Sequence, residues 1–168
     1  MTAADIPPLA VPRTVVVTGG SSGIGRATAS RLAALGATVV IGYNTRAELA
    51  EEVVASLEGQ GHFALRISME HSDSIEAAAA AVEQRFGSLD ALVNSGGATT
   101  PVPVADLMAL TDEILDRTVM LNLRGPFATI RAFRSLLERG QGAAIVNISS
   151  IAARTGTGSS LAYVVAKA

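Results

Sequence analysis

Tyr163 and Lys167 stand four positions apart in Tyr-Val-Val-Ala-Lys, a spacing that puts two side chains on one helix face, one turn apart. An ammonium beside a phenol favours the phenolate, so such a tyrosine can give or take a proton nearer neutrality. Taken alone, the same spacing also describes an ordinary surface pair. Placement adds weight, because the pair follows a β-branched run ending Ile148-Ser149-Ser150 and lies downstream of a glycine-rich turn. Asn122, within Val119-Met120-Leu121-Asn122-Leu123, is a polar group among apolar neighbours. A lone amide in that setting is either a satisfied core group or part of a site.

The glycine-rich turn reads Thr18-Gly19-Gly20-Ser21-Ser22-Gly23-Ile24-Gly25 and sits between an apolar run and a helical segment. Gly19, Gly23 and Gly25 allow a tight turn and a close backbone approach to a pyrophosphate. A helix beginning near Ile24 offers free N–H groups and its positive dipole end to the phosphates. The Ser21 and Ser22 hydroxyls add donors. The alternative is a purely structural turn, and the strand before and helix after favour the nucleotide reading. A second turn, Asn94-Ser95-Gly96-Gly97, follows the fourth apolar run.

These residues need a scaffold, and two kinds of segment alternate to supply it. Continuous β-branched or apolar runs at 14–18, 38–42, 63–67, 91–94 and 144–148 have the character of strands buried on both faces. Helical stretches lie between them at 24–35, 46–57, 74–86 and a long one over 106–139. Ser72 or Asp73 is expected to cap the third helix. Gly36, Gly59, Gly87 and Gly140 are expected to end helices in a left-handed conformation. The repetition predicts an α/β fold, a Rossmann-type doubly wound parallel sheet. Residues 14–168 read as one domain behind a flexible extension, 1–13, that carries three prolines.

Composition narrows the function. Apolar residues make up 49% and charged residues 17%, a folded globular balance. A net charge of −2 leaves no basic footprint for nucleic acid or an anionic membrane. No apolar run has the ~18 residues of a membrane span or the form of a signal peptide, so a cytoplasmic protein is expected. Without Cys, thiolate chemistry is excluded, and His62 and His71, lacking clustered partners, suggest no metal site. Glu48, Glu51 and Glu52 read as a solvated helix face, and Arg131, Arg134 and Arg139 as facing solvent or a neighbouring subunit.

The spacing Gly19-x3-Gly23-x-Gly25, the Asn94 turn, Asn122, Ser150 and Tyr163-x3-Lys167 together resemble the compact short-chain dehydrogenase/reductase family. The resemblance covers residues 14–168 and is greatest to members similar to 3-oxoacyl-[acyl-carrier-protein] reductases. It implies reduction of a small-molecule ketone, such as a 3-oxoacyl thioester, to a secondary alcohol, or the reverse, by hydride transfer with NAD(P)H. It also implies that Tyr163 passes a proton to or from the substrate oxygen. Lys167 would then lower the tyrosine pKa and hold the nicotinamide ribose. Ser150, at the family's usual distance ahead of Tyr163, would bond the substrate carbonyl, with Ser149 structural. Asn122 would anchor a water in the proton relay. Asn94, Ser95 and Gly96 would form the turn beside the cofactor, and Ser68 and Met69 would meet the adenine.

After the second strand, Tyr43-Asn44-Thr45-Arg46 contains no acid. A carboxylate there would bind the 2′-hydroxyl of NAD, whereas Asn44, Thr45 and Arg46 can bind a 2′-phosphate. NADP(H) is therefore expected over NAD(H), with a solvated Arg46 at a helix start as the alternative. Subunits of the family are implied to pair through the long helix and the Tyr163 helix as homo-dimers or tetramers. Compact members are similar in length to one domain of ~250 residues, so a truncated chain that binds a dinucleotide weakly without turnover is the competing expectation. A sugar-nucleotide epimerase shares Tyr-x3-Lys but spaces its glycines differently.

Overall fold

The computed structural model describes residues 13–168. The expected extension therefore lies, apart from Arg13, outside the described residues. Five strands form one parallel sheet in the order β3-β2-β1-β4-β5: β1 Thr14–Thr18, β2 Thr38–Tyr43, β3 Phe63–Arg66, β4 Ala91–Asn94 and β5 Ala144–Asn147. The central register pairs Val15 with Val39 on one side of β1 and Val15 with Ala91 on the other. Val15, Val16 and Val17 are fully buried, as are Val39, Val40 and Ile41. Strands covered on both faces must read as continuous apolar runs, which is why these segments are legible in the sequence.

The pleat sends alternate side chains to two separate cores. Val16, Val40 and Leu92 pack with Ile75, Phe133 and Leu136 from helices α3 (Ser72–Phe86) and α5 (Gly125–Arg139). Val15, Val17, Val39 and Ile41 pack with Ala29, Ala33, Ala50 and Val53 from α1 (Gly23–Ala34) and α2 (Ala47–Ser56). Each fully buried Val, Ile, Leu or Phe contributes roughly 1.5–3 kcal/mol. Helices on both faces make this a doubly wound α/β sheet, as expected. Among the described residues β5 pairs only with β4, and all four of its residues are exposed, contrary to the burial on both faces expected of this run.

The amino ends of the strands are held by Asp90. Its Oδ2 accepts from the Arg13 and Thr14 amides at 3.0 and 2.9 Å, and its Oδ1 from that of Gln141 at 3.2 Å. His62 is likewise structural: Nδ1 accepts from Val39 N, so its Nε2 donates to the Glu58 carbonyl. Glu48, Glu51 and Glu52 are exposed, as are Arg131, Arg134 and Arg139. Arg139 ties the end of α5 to Glu83 and to the Gly87 carbonyl.

Three local expectations need correction. The long helix does not start at residue 106. The Asp106 carboxylate accepts from Ala109 N in a local turn, and α4 (Asp112–Val119) begins after Thr111, whose hydroxyl accepts from Ile114 N. Short polar side chains that bond nearby amides compete with helix in this way. The helical run then widens into a π turn, Met120–Arg124, before α5. Pro126 follows, and it has no N–H to return to the carbonyl of Asn122.

Second, neither Ser72 nor Asp73 caps α3. The N-cap is His71 without a side-chain bond, and both expected caps lie in the first turn. Third, Gly36 and Gly87 follow their helices at positive φ, but Gly59, also at positive φ, lies beyond an extended helix end at Leu57, and Gly140 is extended at φ −70°, ψ 157°. Close approach explains this glycine, since a Cβ there would collide with the Leu89 carbonyl oxygen. Gly140→Ala should cost about 2–3 kcal/mol, because the obstacle is backbone. Gly142→Ala, at φ +75° in open space, should cost about 1 kcal/mol. Denaturant unfolding of both variants checks the order, and a smaller loss at Gly140 would contradict it.

Candidate active site

A cavity of about 780 Å³ lies across the carboxyl ends of the strands. In a sheet of this order the connections diverge between β1 and β4, which opens a crevice at that point. The two turns that flank it touch closely. Gly19 has φ +64°, and a Cβ on it would fall 2.8 Å from Gly96 Cα. The Thr18 hydroxyl accepts from the amides of Ser95 and Gly96 at 3.2 and 3.1 Å, tying the turns together. Gly25 is buried against the Gly19 carbonyl, which leaves no room for a side chain.

Gly19, Ser21, Ser22, Gly23 and Ile24 all line the cavity. Ser22 is the N-cap of α1 by backbone geometry, yet its side chain makes no capping bond. The hydroxyl and first-turn amides of a 12-residue helix are thus available to an anion. Tyr43 at the end of β2, and Asn44, Thr45 and Arg46 after it, continue the wall, with Met69 beyond β3. Ser68 is not on that wall. Ile67 and Met69 face the cavity while Ser68 between them is 1% exposed, with its hydroxyl unpartnered. Alternation along the extended chain turns it inward, so its expected side-chain contact with an adenine is not supported. Gly25 and Asn94 also stand behind the wall. Asn94 is buried, and its Nδ2 donates to Asn147 Oδ1 at 2.9 Å, linking the ends of β4 and β5.

The other end of the cavity brings the polar constellation together. Helix α7 (Leu161–Lys167) starts at Ser160, whose hydroxyl accepts from Tyr163 N. Tyr163 and Lys167 line the cavity, with Lys167 Nζ 5.9 Å from the phenol ring centre. Nζ donates to the Ile148 carbonyl at 2.9 Å, and the Ser149 hydroxyl donates to the Lys167 carbonyl at 2.6 Å. Ser149 therefore fastens the end of α7. Ser150 caps the short helix α6 (Ile151–Thr155) and also lines the cavity.

Asn122 sits in the π turn and is 5% exposed. Its Nδ2 donates to the Ala98 and Thr118 carbonyls at 2.6 and 2.9 Å, which fixes the amide's orientation. Its Oδ1 is left buried without a partner. A Cβ on Gly97 would lie 2.5 Å from that oxygen and 3.5 Å from Lys167 Nζ. The glycine thus leaves a small polar space between an unsatisfied acceptor and an ammonium, suited to a water.

Some lining groups were not identified in the sequence. Glu70 and Arg117 pair on the wall at 3.2 Å. Arg117 and Leu121 lie one helical turn apart on the same wall, a spacing that could have found the arginine. No cluster of three or more metal-ligating side chains occurs among the described residues. Among them, too, no helix is long and apolar enough to cross a membrane.

The glycine turn, the buried Asn122 and the Tyr163–Lys167 pair on one crevice make a combination that can be compared with known proteins. A profile of short chain dehydrogenases matches residues 13–168. The chain belongs to the short-chain dehydrogenase family. It is 38% identical over 168 residues to L-rhamnose 1-dehydrogenase (NAD(P)(+)) of Azotobacter vinelandii, covering 95% of this chain and 64% of that one. It is 34% identical over 158 residues to a 3-oxoacyl-[acyl-carrier-protein] reductase of Staphylococcus aureus, covering 93% and 63%. The chain thus spans less than two thirds of the length of these relatives. A short chain dehydrogenase from Burkholderia cenocepacia, solved in complex with NADP, superimposes with TM-score 0.81 at 35% identity, over 91% of this chain and 62% of that one. A dehydrogenase/reductase from Sinorhizobium meliloti gives TM-score 0.84 at 36% identity, over 92% and 61%.

Burial holds the Lys167 pKa below the ordinary lysine value, because lost solvation disfavours the ammonium. Between the two values the unfolded chain binds more protons than the native one, so stability rises with pH. The wild type should therefore gain unfolding free energy over Lys167→Met as pH climbs from the depressed value towards about 10.4. Denaturant unfolding at stepped pH checks this, and a pH-independent difference would contradict it.

Proposed function

We propose that the chain carries the cofactor site and proton-transfer groups of an NADP(H)-dependent oxidoreductase that interconverts a ketone and a secondary alcohol. The observation that carries the reading is the meeting of Asn122 Oδ1, Gly97 and Lys167 Nζ beside Tyr163, on a crevice whose other wall is the glycine turn. The groups present fit a nicotinamide dinucleotide. Gly19, Ser21, Ser22, Gly23 and Ile24 would receive the pyrophosphate, and Lys167 the nicotinamide ribose. Asn44, Thr45 and Arg46, with no carboxylate among them, would receive a 2′-phosphate. When bound, the nicotinamide supplies or accepts a hydride at its C4.

The remaining chemistry belongs to the chain. Ser150 would donate a hydrogen bond to the substrate oxygen and hold it near Tyr163. The Tyr163 hydroxyl would give that oxygen its proton in reduction, or take it in oxidation. The Lys167 charge stabilises the phenolate left behind. Asn122 Oδ1, an acceptor with no partner, would hold a water that returns a proton to this pair. Ile151, 70% exposed beside the cavity, gives the substrate side an apolar rim, so 3-oxoacyl thioesters are the first class to test. Leu123 and Phe127, exposed on the long helical run, favour pairing of subunits there. A cytoplasmic setting suits both.

A second reading has its own support. Ile145 and Val146 of β5 are both exposed, so the chain could bind the dinucleotide without holding substrate for turnover. Loss of NADPH absorbance with a panel of activated ketones, beside direct NADPH binding, separates the two. Turnover is expected in the wild type, faster with NADPH than with NADH. Tyr163→Phe should lower it by roughly 10²–10⁴-fold with NADPH binding unchanged. A Phe variant as active as the wild type would remove Tyr163 from the chemistry, and binding without wild-type turnover would establish the second reading.

A further inference from the structure

Lys167 is the only lysine in the sequence; the other permanently charged bases are all arginine, and there is no cysteine. A guanidinium stays protonated and does not attack a simple aldehyde, so such a molecule meets a single side-chain amine and no thiol. That amine lines the cavity. Among the described residues it takes part in no ion pair. Glu70, the only carboxylate on the cavity wall, is already paired with Arg117. A lysine keeps its proton through solvation or a counter-charge. Here burial removes part of the first and the second is lacking, which favours the nucleophilic free amine.

The surroundings of Nζ suit addition to a carbonyl. Gly97 leaves open the gap between Lys167 and Asn122, since a Cβ there would lie 3.5 Å from Nζ and 2.5 Å from Oδ1. That Oδ1 is buried without a partner, so an acceptor borders the same gap. The ring centre of Tyr163 is 5.9 Å from Nζ, and Tyr163 lines the same cavity. A nucleophile, an acceptor and a phenol thus border one small space.

We propose that Lys167 is also a covalent site for small aldehydes when the crevice holds no dinucleotide. The amine lone pair adds to the carbonyl carbon and gives a carbinolamine, whose hydroxyl donates to Asn122 Oδ1. Tyr163 protonates that hydroxyl, which leaves as water while the C=N bond forms. The phenolate then recovers its proton from the nitrogen. Aldehyde and amine give imine and water, with no oxidant or reductant. The Tyr163 step rests on the proton-transfer role proposed above; the addition needs only the amine and the open crevice. A dinucleotide with its ribose on Lys167 would shield the amine.

The test treats the chain with propanal and cyanoborohydride at neutral pH, in buffer and in guanidinium chloride, and maps the alkylated amines by mass spectrometry. The N-terminal amine is the internal standard. Relative to it, Lys167 should be alkylated at least roughly ten-fold faster in buffer than in denaturant. Tyr163→Phe should slow the reaction at Lys167 by at least roughly ten-fold, and NADPH should protect it. Equal relative rates in buffer and denaturant, or alkylation of the N-terminus alone, overturn the proposal. An unchanged rate in Tyr163→Phe overturns the proton-donor step. Fast alkylation that NADPH leaves unchanged upholds the covalent site and counts against the ribose contact, so the two readings fail separately.

Discussion

The site depends first on the contact between two turns at the tips of neighbouring strands. Gly19 approaches Gly96 until no Cβ fits on Gly19, and the Thr18 hydroxyl holds two amides of the second turn. A parallel sheet leaves its strand ends facing one way, and the order β3-β2-β1-β4-β5 parts the connections between β1 and β4. A side chain on Gly19 would run into the backbone of Ser95 and Gly96 and push the second turn away. With the glycine contact in place, the start of α1 and the loop before Asn122 become opposite walls of one space. The two cores on either side of the sheet keep those tips from moving apart.

A second theme is polar groups left incomplete in a well-satisfied interior. Asn122 Oδ1 is buried and unpaired, although its own Nδ2 is fixed by two carbonyls. Lys167 is partly desolvated, with only a backbone carbonyl to receive its proton. Each arrangement costs folding free energy, and both lie against the same cavity. The π turn adds to this, because it sets Asn122 inward where Pro126 removes the usual return hydrogen bond. Such local costs are expected where a site, and not packing, decides the residue.

The β1 and β4 boundaries were legible in full and β2 to within a residue, because strands covered on both faces leave apolar runs; β3 and β5, also read to within a residue, keep such runs although neither has a buried residue. The Gly19–Ile24 turn and the Tyr163–Lys167 pair were legible because each is local. Most of what failed depends on a distant partner, the local turn at Asp106 excepted. Asp106 reads as helix until its carboxylate is seen to bond Ala109 N. Gly140 reads as a left-handed cap, but the reason for it is the Leu89 carbonyl across the fold. Ser68 was assigned to the cavity by position, and the alternation around Ile67 and Met69 turns it away. Glu70 and Arg117 form no motif, and only the fold brings them together.

The direct test of the central claim, that both ends of the crevice form one ligand site, is an NMR titration of the labelled chain with NADPH. The amides of residues 21–25, of Gly97 and Ala98, and of Tyr163 and Lys167 should all shift along a single binding isotherm. Shifts confined to one end, or two isotherms of different affinity, would contradict it.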